Sequence, residues 1–351
     1  MRASAGLLPL PNNPLIVAAV QAICCGGPHA RLNDGGWRTT REGFPYYEFW
    51  SGSGGRIGVR IASDDPDASW RLVESLSTLT LDVAIALLSG LSAAPFRTLT
   101  RAPRRGSVRL GPAAVLAAKQ YRRYGAERIE FAEAIAGETN KLMQMRFDIH
   151  NYPGFNPKSR SWSRAGISRT DVALIERGDE AQPADPLECS GGQMLRFGAW
   201  ADHWLNAGGP MWVSMLPQAV LALDHRDNRG ADVLAKKTAL LIALNWGALR
   251  RGKTIVTDVR TFLRRIGELR RPSAETLQHS GRIADRFDEA LFRLADRGLI
   301  EVSLLGEAAA LLRSQGRRWF DTWLEAGVII QRPSFIDTSE APDRAAAPHG
   351  R

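Results

Sequence analysis

The chain has 351 residues, 44% of them hydrophobic and 24% charged, with a formal charge of +9. That length and apolar content exclude a disordered or fibrous chain and suit a folded protein of two domains. Three cysteines, Cys24, Cys25 and Cys189, are too few and too unevenly spaced for a disulfide framework or a four-ligand zinc site, so a reducing, cytoplasmic setting is expected; the positive charge implies a polyanionic partner or simply a basic surface.

The run PLIVAAVQAICC at 14–25 is too short to span a bilayer, and with only Arg2 ahead of it makes a poor signal sequence, so no membrane partner is expected. Pro11, Pro14, Gly26, Gly27, Gly35 and Gly36 make residues 1–45 read as a flexible N-terminal arm. A first domain, 46–190, opens with YYEFWSGSGGRIGVRIAS, whose aromatic and β-branched residues around a glycine-rich turn predict a hairpin or two edge strands. Residues 70–92, rich in Leu and Ala, predict one long buried helix or two short ones. SVRL is then a short extended piece, and Gly111 and Pro112 start a helix that ends in Arg122 and Arg123 before Gly125. A third helix is predicted from about Ala126 to Met145, with a core stripe of Phe131, Ile135, Leu142 and Met145 and an outer face carrying Glu133, Gly137, Asn140, Lys141 and Gln144. RFDIHNYP and VALIERG are candidate strands, and KSRSWSRAGISR between them is a candidate wing.

Residues 191–210 read as a linker. Trp200, Trp204 and Trp212 in GAWADHWLNAGGPMW suit core and interface packing better than base stacking. Asp224, His225 and Asp227 lack a further ligand in spacing, and Asp227 or Asn228 is better read as the cap of a following helix. The second domain, 211–335, runs as a helix at 230–247, the strand TIVT, the helix DVRTFLRRIG at 258–267, a helix at 282–297, and strands EVSLL and GVIIQRP around an insertion; 336–351 is expected to be a disordered tail. Helix, strand, helix, helix, strand, strand is the winged-helix order and recurs in both halves. The expected fold is therefore α+β, mainly helical, with two tandem winged-helix domains and short β-hairpins.

GRIADRFDEALFRLADRGLIE at 281–301 carries two stripes. At about 100° per residue, Ile283, Phe287, Ala290, Leu291 and Leu294 share one face, and Arg282, Arg286, Arg293 and Arg297 share a neighbouring one. The first stripe needs a core and the second needs water or an anion. A helix laid in the major groove needs both, and arginine can grip guanine or phosphate with two hydrogen bonds. Residues 250–271 hold eight cations, among them Arg250, Arg251, Lys253, Arg264 and Arg265, against two carboxylates, a surface suited to phosphates. In the first domain Glu127, Glu130 and Glu133 face phosphates poorly, while Asn140, Lys141 and Gln144 could pair with adenine edges and Arg122 and Arg123 add charge, which suits a secondary DNA contact or a dimer interface.

MLPQAVLALDHRDNRGADVLAKKTALLIALNWG and RIADRFDEALFRLADRGLIEV, with the twofold winged-helix pattern, resemble plasmid replication initiator proteins of the Rep type over about residues 46–335. The resemblance implies a protein that binds repeated origin sequences in double-stranded DNA, reads bases mainly with the second unit, and has room for a homodimer and for host replication proteins as partners. A winged-helix transcription regulator is the alternative. No cofactor and no catalytic activity are expected. The sequence has no HExxH and no His-x-His, and its last tyrosine is Tyr152, far from the C-terminal position a recombinase nucleophile takes.

Overall fold

Asn13 accepts a hydrogen bond from the Ile16 amide at 3.1 Å, and Pro14 takes the first helical position. These two residues start a helix, α1 (Pro14–Cys24), where proline and glycine density suggested a loose arm. The computed structural model describes residues 6–32, 36–50, 55–96, 107–121, 125–156, 161–178, 192–201, 213–223, 230–251, 254–269, 280–304 and 319–331. The expected tail at 336–351 lies outside them.

Strands β2 (Arg38–Thr39), β3 (Pro45–Trp50), β4 (Arg56–Ile61), β6 (Met145–Asn156) and β7 (Ser161–Ala173) form one antiparallel sheet in that order. Period-two alternation sends Tyr47, Ile57, Val59, Phe147 and Ile149 into the core and leaves Tyr46, Arg56, Arg60 and Asp148 on the other face. Helices α2 (Pro66–Glu74) and α3 (Thr78–Phe96) meet at a bend of 87°. The two-helix alternative therefore holds over 70–92, because Ser77 accepts from the Leu79 and Thr80 amides through its hydroxyl and restarts the helix.

Helix α4 (Pro112–Ala118) and helix α5 (Ala126–Gln144) follow strand β5 (Val108–Leu110), and Phe131, Ile135, Leu142 and Met145 are buried as the spacing predicts. Two expectations change here. KSRSWSRAGISR is no wing, since from Ser161 onward it belongs to β7, and β8 (Ile175–Arg177) starts only after Ala173. The proposed linker at 191–210 contains β9 (Gln193–Phe197), which pairs with β5 and β8 in the order β5-β9-β8. Trp200 is fully buried, with its indole N–H donating to the Leu174 carbonyl at 2.9 Å, so it is core as expected; Trp204 and Trp212 lie outside the described residues.

The second half runs α6 (Ala231–Leu249), β11 (Arg250–Arg251), β12 (Thr254–Asp258), α7 (Val259–Arg265), α8 (Ser280–Asp296), β13 (Glu301–Leu304), α9 (Trp319–Glu325) and β14 (Gly327–Gln331). Its sheet order is β11-β12-β14-β13. The architecture is α+β, and one topology occurs twice: α3, β5, α4, α5, β8, β9 with strands ordered β5-β9-β8, and α6, β12, α7, α8, β13, β14 with strands ordered β12-β14-β13. The first copy carries the β6–β7 hairpin as an insertion, and the second carries α9.

Residues 7–25 tie the halves together. Strand β1 (Leu7–Pro11) pairs with β10 (Val213–Pro217), and α1 contacts β4, α3 and α6. This overturns the flexible arm over the part of 1–45 described here: an apolar helix buried on almost every side needs partners, and it finds them in both units. Gly267, at φ +72, comes so close that an added Cβ would lie 2.4 Å from the Cys24 carbonyl oxygen. A buried ionic triad reinforces the junction. Asp82 of α3 is flanked by Lys119, just past α4, and by Lys236 of α6, whose ammonium lies 2.7 Å from it; the two lysines also donate to the carbonyls of Leu221 and Leu223, each at 3.0 Å.

Candidate nucleic-acid interface

Helix α8 begins without a carboxylate in its first turn, so its N-terminal end offers partial positive charge beside Arg282. Its apolar stripe sits as predicted, with Ile283, Phe287, Ala290, Leu291 and Leu294 buried against α6 and α7. Phe287 stands edge-on to Phe262 and to Trp323 of α9, which fixes the rotation of the helix about its axis.

That rotation decides where the arginines go. Arg282 and Arg297 are exposed, and neither makes an ion pair among the described residues. The side chain of Arg286 lies back along the helix, with Nε donating to the Arg282 carbonyl at 3.3 Å. Arg293 faces α6: its guanidinium bonds Asp232 at 2.5 Å and Glu289 at 2.6 Å, and these two hydrogen bonds, Asp232 first, raise its already high pKa. Arg293 thus braces α8 to α6 and is withdrawn from the groove-facing set. The line of α8 opposite the core holds Asp285, Asp288, Asp296 and Phe292, the last 71% exposed. Only the first two turns of α8 therefore combine exposed cation with a positive helix end.

The neighbouring cations divide likewise. Arg265, assigned to phosphates by sequence, turns inward, and burial lowers its pKa against the opposing pull of Tyr47 and Asp258. Arg264 is half-buried at the end of α7, and Arg260 reaches Asp321 at 3.7 Å. Asp258 caps α7, accepting from the Thr261 amide at 2.7 Å; burial would raise its pKa, but the bonds from Thr261 outweigh this and hold it below the usual value. Arg250 and Arg251 form β11 opposite Ile255 and Thr254, while Lys253 lies outside the described residues.

In the first unit Asn140 and Gln144 are exposed on α5. Lys141 is not available to a base as expected, because its ammonium bonds Glu138 at 2.7 Å and the Ser75 carbonyl at 3.0 Å, holding α5 to the α2–α3 bend. Glu127 and Glu130 are exposed at the start of α5, so that end is the poorer of the two for an anion. Arg122, Arg123 and the Asp224–Asp227 cluster lie outside the described residues.

Two features escaped the sequence reading. The buried triad was signalled by one carboxylate in the apolar run LTLDVAIALL, and α1 by the Asn-Pro start at 13–14. Burial, opposed by the Asp82 carboxylate, brings the pKa of Lys236 down to about 8. Among the described residues no helix is alone long and apolar enough to cross a membrane.

Comparison with known proteins adds only outline. No protein-family model matches the chain, and no curated protein does. The selenomethionine derivative of domains 2 and 3 of RctB is similar in structure at 9% identity, covering 81% of this chain and 85% of that chain with a TM-score of 0.42. A second RctB domains 2-3 structure gives 11% identity, coverage of 78% and 83%, and a TM-score of 0.37.

Proposed function

We propose that the chain is a sequence-specific double-stranded DNA-binding protein with two tandem winged-helix units, acting as a replication initiator on repeated origin sites. The observation that supports this best is the repetition of one element order and one sheet order in the two halves. In that arrangement the third helix enters the major groove with its N-terminal residues at the base edges. The first two turns of α8, with Arg282 and Arg286, take that role, Arg264 lies toward the phosphates, and Asn140 and Gln144 of α5 make the secondary contact. Two such units in one chain suit paired or repeated half-sites, which favours an initiator over the alternative of a transcription regulator. The same reading places the protein in the cytoplasm, allows a homodimer and host replication proteins as partners, and assigns it no catalytic step.

Selection of bound duplexes from a random library tests it. One motif should be enriched, and Arg282→Ala or Arg286→Ala should weaken binding to that motif by about 1–3 kcal/mol while changing random-duplex binding much less. Absence of any enriched motif, or full affinity in both variants, overturns the reading.

A further inference from the structure

Most donors around the C-terminal end of α1 have an acceptor. The Trp37 indole N–H donates to the Ala22 carbonyl at 2.9 Å, the Lys237 ammonium to Glu268 at 2.7 Å and to the Cys24 carbonyl at 3.1 Å, and the Cys25 thiol to the Arg264 carbonyl at 3.8 Å. Two donors there have none among the described residues. Gln21, 6% exposed, accepts from the Tyr47 hydroxyl at 3.2 Å through Oε1, and its Nε2 has no hydrogen-bond partner. The Arg265 guanidinium makes neither a hydrogen bond nor an ion pair among the described residues.

The two converge on Tyr47. Gln21 and Cys25 lie four residues apart on one face of α1, and Cys25 touches the backbone of Arg264, while Gly267 of the same segment closes against Cys24. Tyr47 is buried on β3 and bonds Gln21. Burial lowers the pKa of Arg265, and the opposing pull comes from Tyr47 before Asp258, so the guanidinium is within electrostatic reach of the phenol. No carboxylate there is free to neutralise it. Asp258 caps the opposite end of α7, committed to the Thr261 amide at 2.7 Å, and Glu268 is taken by Lys237. Gln21 lies deep and Arg265 is half-buried, so a ligand between them would enter past the arginine and end at the amide.

We propose that the junction of α1, β3 and the end of α7 is a binding site for one small oxyanion of the phosphate class, held by the Arg265 guanidinium at its mouth and the Gln21 amide at its floor. A largely buried guanidinium without a carboxylate is costly, and its planar fork matches two oxygens of an oxyanion. An amide N–H that also lacks an acceptor adds an unmet cost of the same kind. One acceptor-only ligand satisfies both groups, and a cation or an apolar ligand satisfies neither. The site goes beyond the DNA-binding reading and does not depend on it; an anion held there fastens α1 to the second unit. Duplex DNA offers the same chemistry in its backbone phosphates, which can approach Arg265 but not a side chain as buried as Gln21, and the experiment separates these sources.

Melting of the full chain without DNA is followed in potassium phosphate and in potassium chloride at equal ionic strength, with equilibrium dialysis of labelled phosphate alongside. The wild type should bind a single phosphate and melt roughly 5–10 °C higher at a hundredfold excess over its Kd. Arg265→Met should abolish both effects and melt no lower than wild type in chloride, since the unpaired charge is gone. Gln21→Met should raise the Kd by about tenfold. If Arg265→Met does not fold, Arg265→Lys, which keeps the charge and loses the fork, takes its place and should also weaken phosphate; an unchanged Kd in both Arg265→Lys and Gln21→Met overturns the proposal. Equal phosphate responses in wild type and Arg265→Met overturn it, as does a wild type that gains nothing from phosphate over chloride. Should Arg265→Met instead leave phosphate binding unchanged and lower the slope of log affinity for a random duplex against log salt by about 1, the guanidinium serves the DNA backbone and the buried site is overturned.

Discussion

Replacing Asp82 by Leu removes the single carboxylate between two buried ammonium groups. The side chains of Asp82 and Lys236 are fully buried and that of Lys119 is 3% exposed, so water cannot take the carboxylate's place. Leaving a buried charge without its partner costs about 3–5 kcal/mol. The two lysines keep one backbone carbonyl each, and Lys236 can relieve part of the strain by losing its proton, which places the expected loss near the lower end of that range. At about 2–4 °C per kcal/mol this lowers the melting temperature by roughly 6–12 °C at pH 7. The triple variant Asp82→Leu/Lys119→Met/Lys236→Met, which removes every charge, should recover most of the loss. The pH dependence supplies an independent arm. The pKa of Lys236 is lowered from 10.5 to about 8, so below pH 8 the folded state carries the full cost of the buried ammonium, and stability from this group rises with pH between about 8 and 10.5. The stability difference between wild type and Lys236→Met should therefore move in favour of the wild type by up to about 3 kcal/mol as pH rises across that window. Cys24, Cys25 and Tyr47, whose pKa values burial raises, act in the opposite sense but equally in both proteins and cancel in the difference. Calorimetry of the four proteins from pH 7 to 10 is the assay; an Asp82→Leu melting temperature within 1 °C of wild type would refute a buried, charge-coupled junction.

Two further outcomes follow from the same geometry. Arg293→Ala should cost under about 1 kcal/mol, as expected for a partly exposed ion pair, and leave DNA affinity within twofold; a tenfold loss of affinity in the gel-shift assay that Arg286→Ala also enters would return Arg293 to the groove. Gly267→Ala forces a side chain into a left-handed backbone and against the Cys24 carbonyl, so a loss of at least about 1–3 kcal/mol is expected in denaturant titration, and wild-type stability would contradict the contact between α1 and the end of α7.

Where apolar period and helix signals agreed, the sequence was easily read. The core stripe of α8, the Gly298 stop at φ +65 and the Gly111–Pro112 start of α4 all lie where spacing and capping rules put them. The arm failed because composition outweighed a two-residue cap at Asn13 and Pro14. The linker failed because β9 takes its partner from β5, more than eighty residues earlier, a pairing that no local pattern announces. Among site residues, Arg293, Arg265 and Lys141 were placed by their own helix alone. Glu289 and Glu138 share a helix with Arg293 and Lys141, but Asp232, Tyr47 and the Ser75 carbonyl lie on other elements, and periodicity on one helix cannot tell an arginine facing solvent from one facing Asp232.

The position of α1 gives the molecule a history as well as a shape. Its residues leave the ribosome long before Lys237, Gly267 and Glu268, against which its C-terminal end closes. At about 5–20 residues per second that interval is on the order of 10–50 s. Until the second half arrives, Cys24 and Cys25 lack that part of their cover; in the finished fold burial raises their pKa values to about 11 and about 12. The apolar segment is therefore incompletely covered during one interval of synthesis, and its final closure waits until both units have been made.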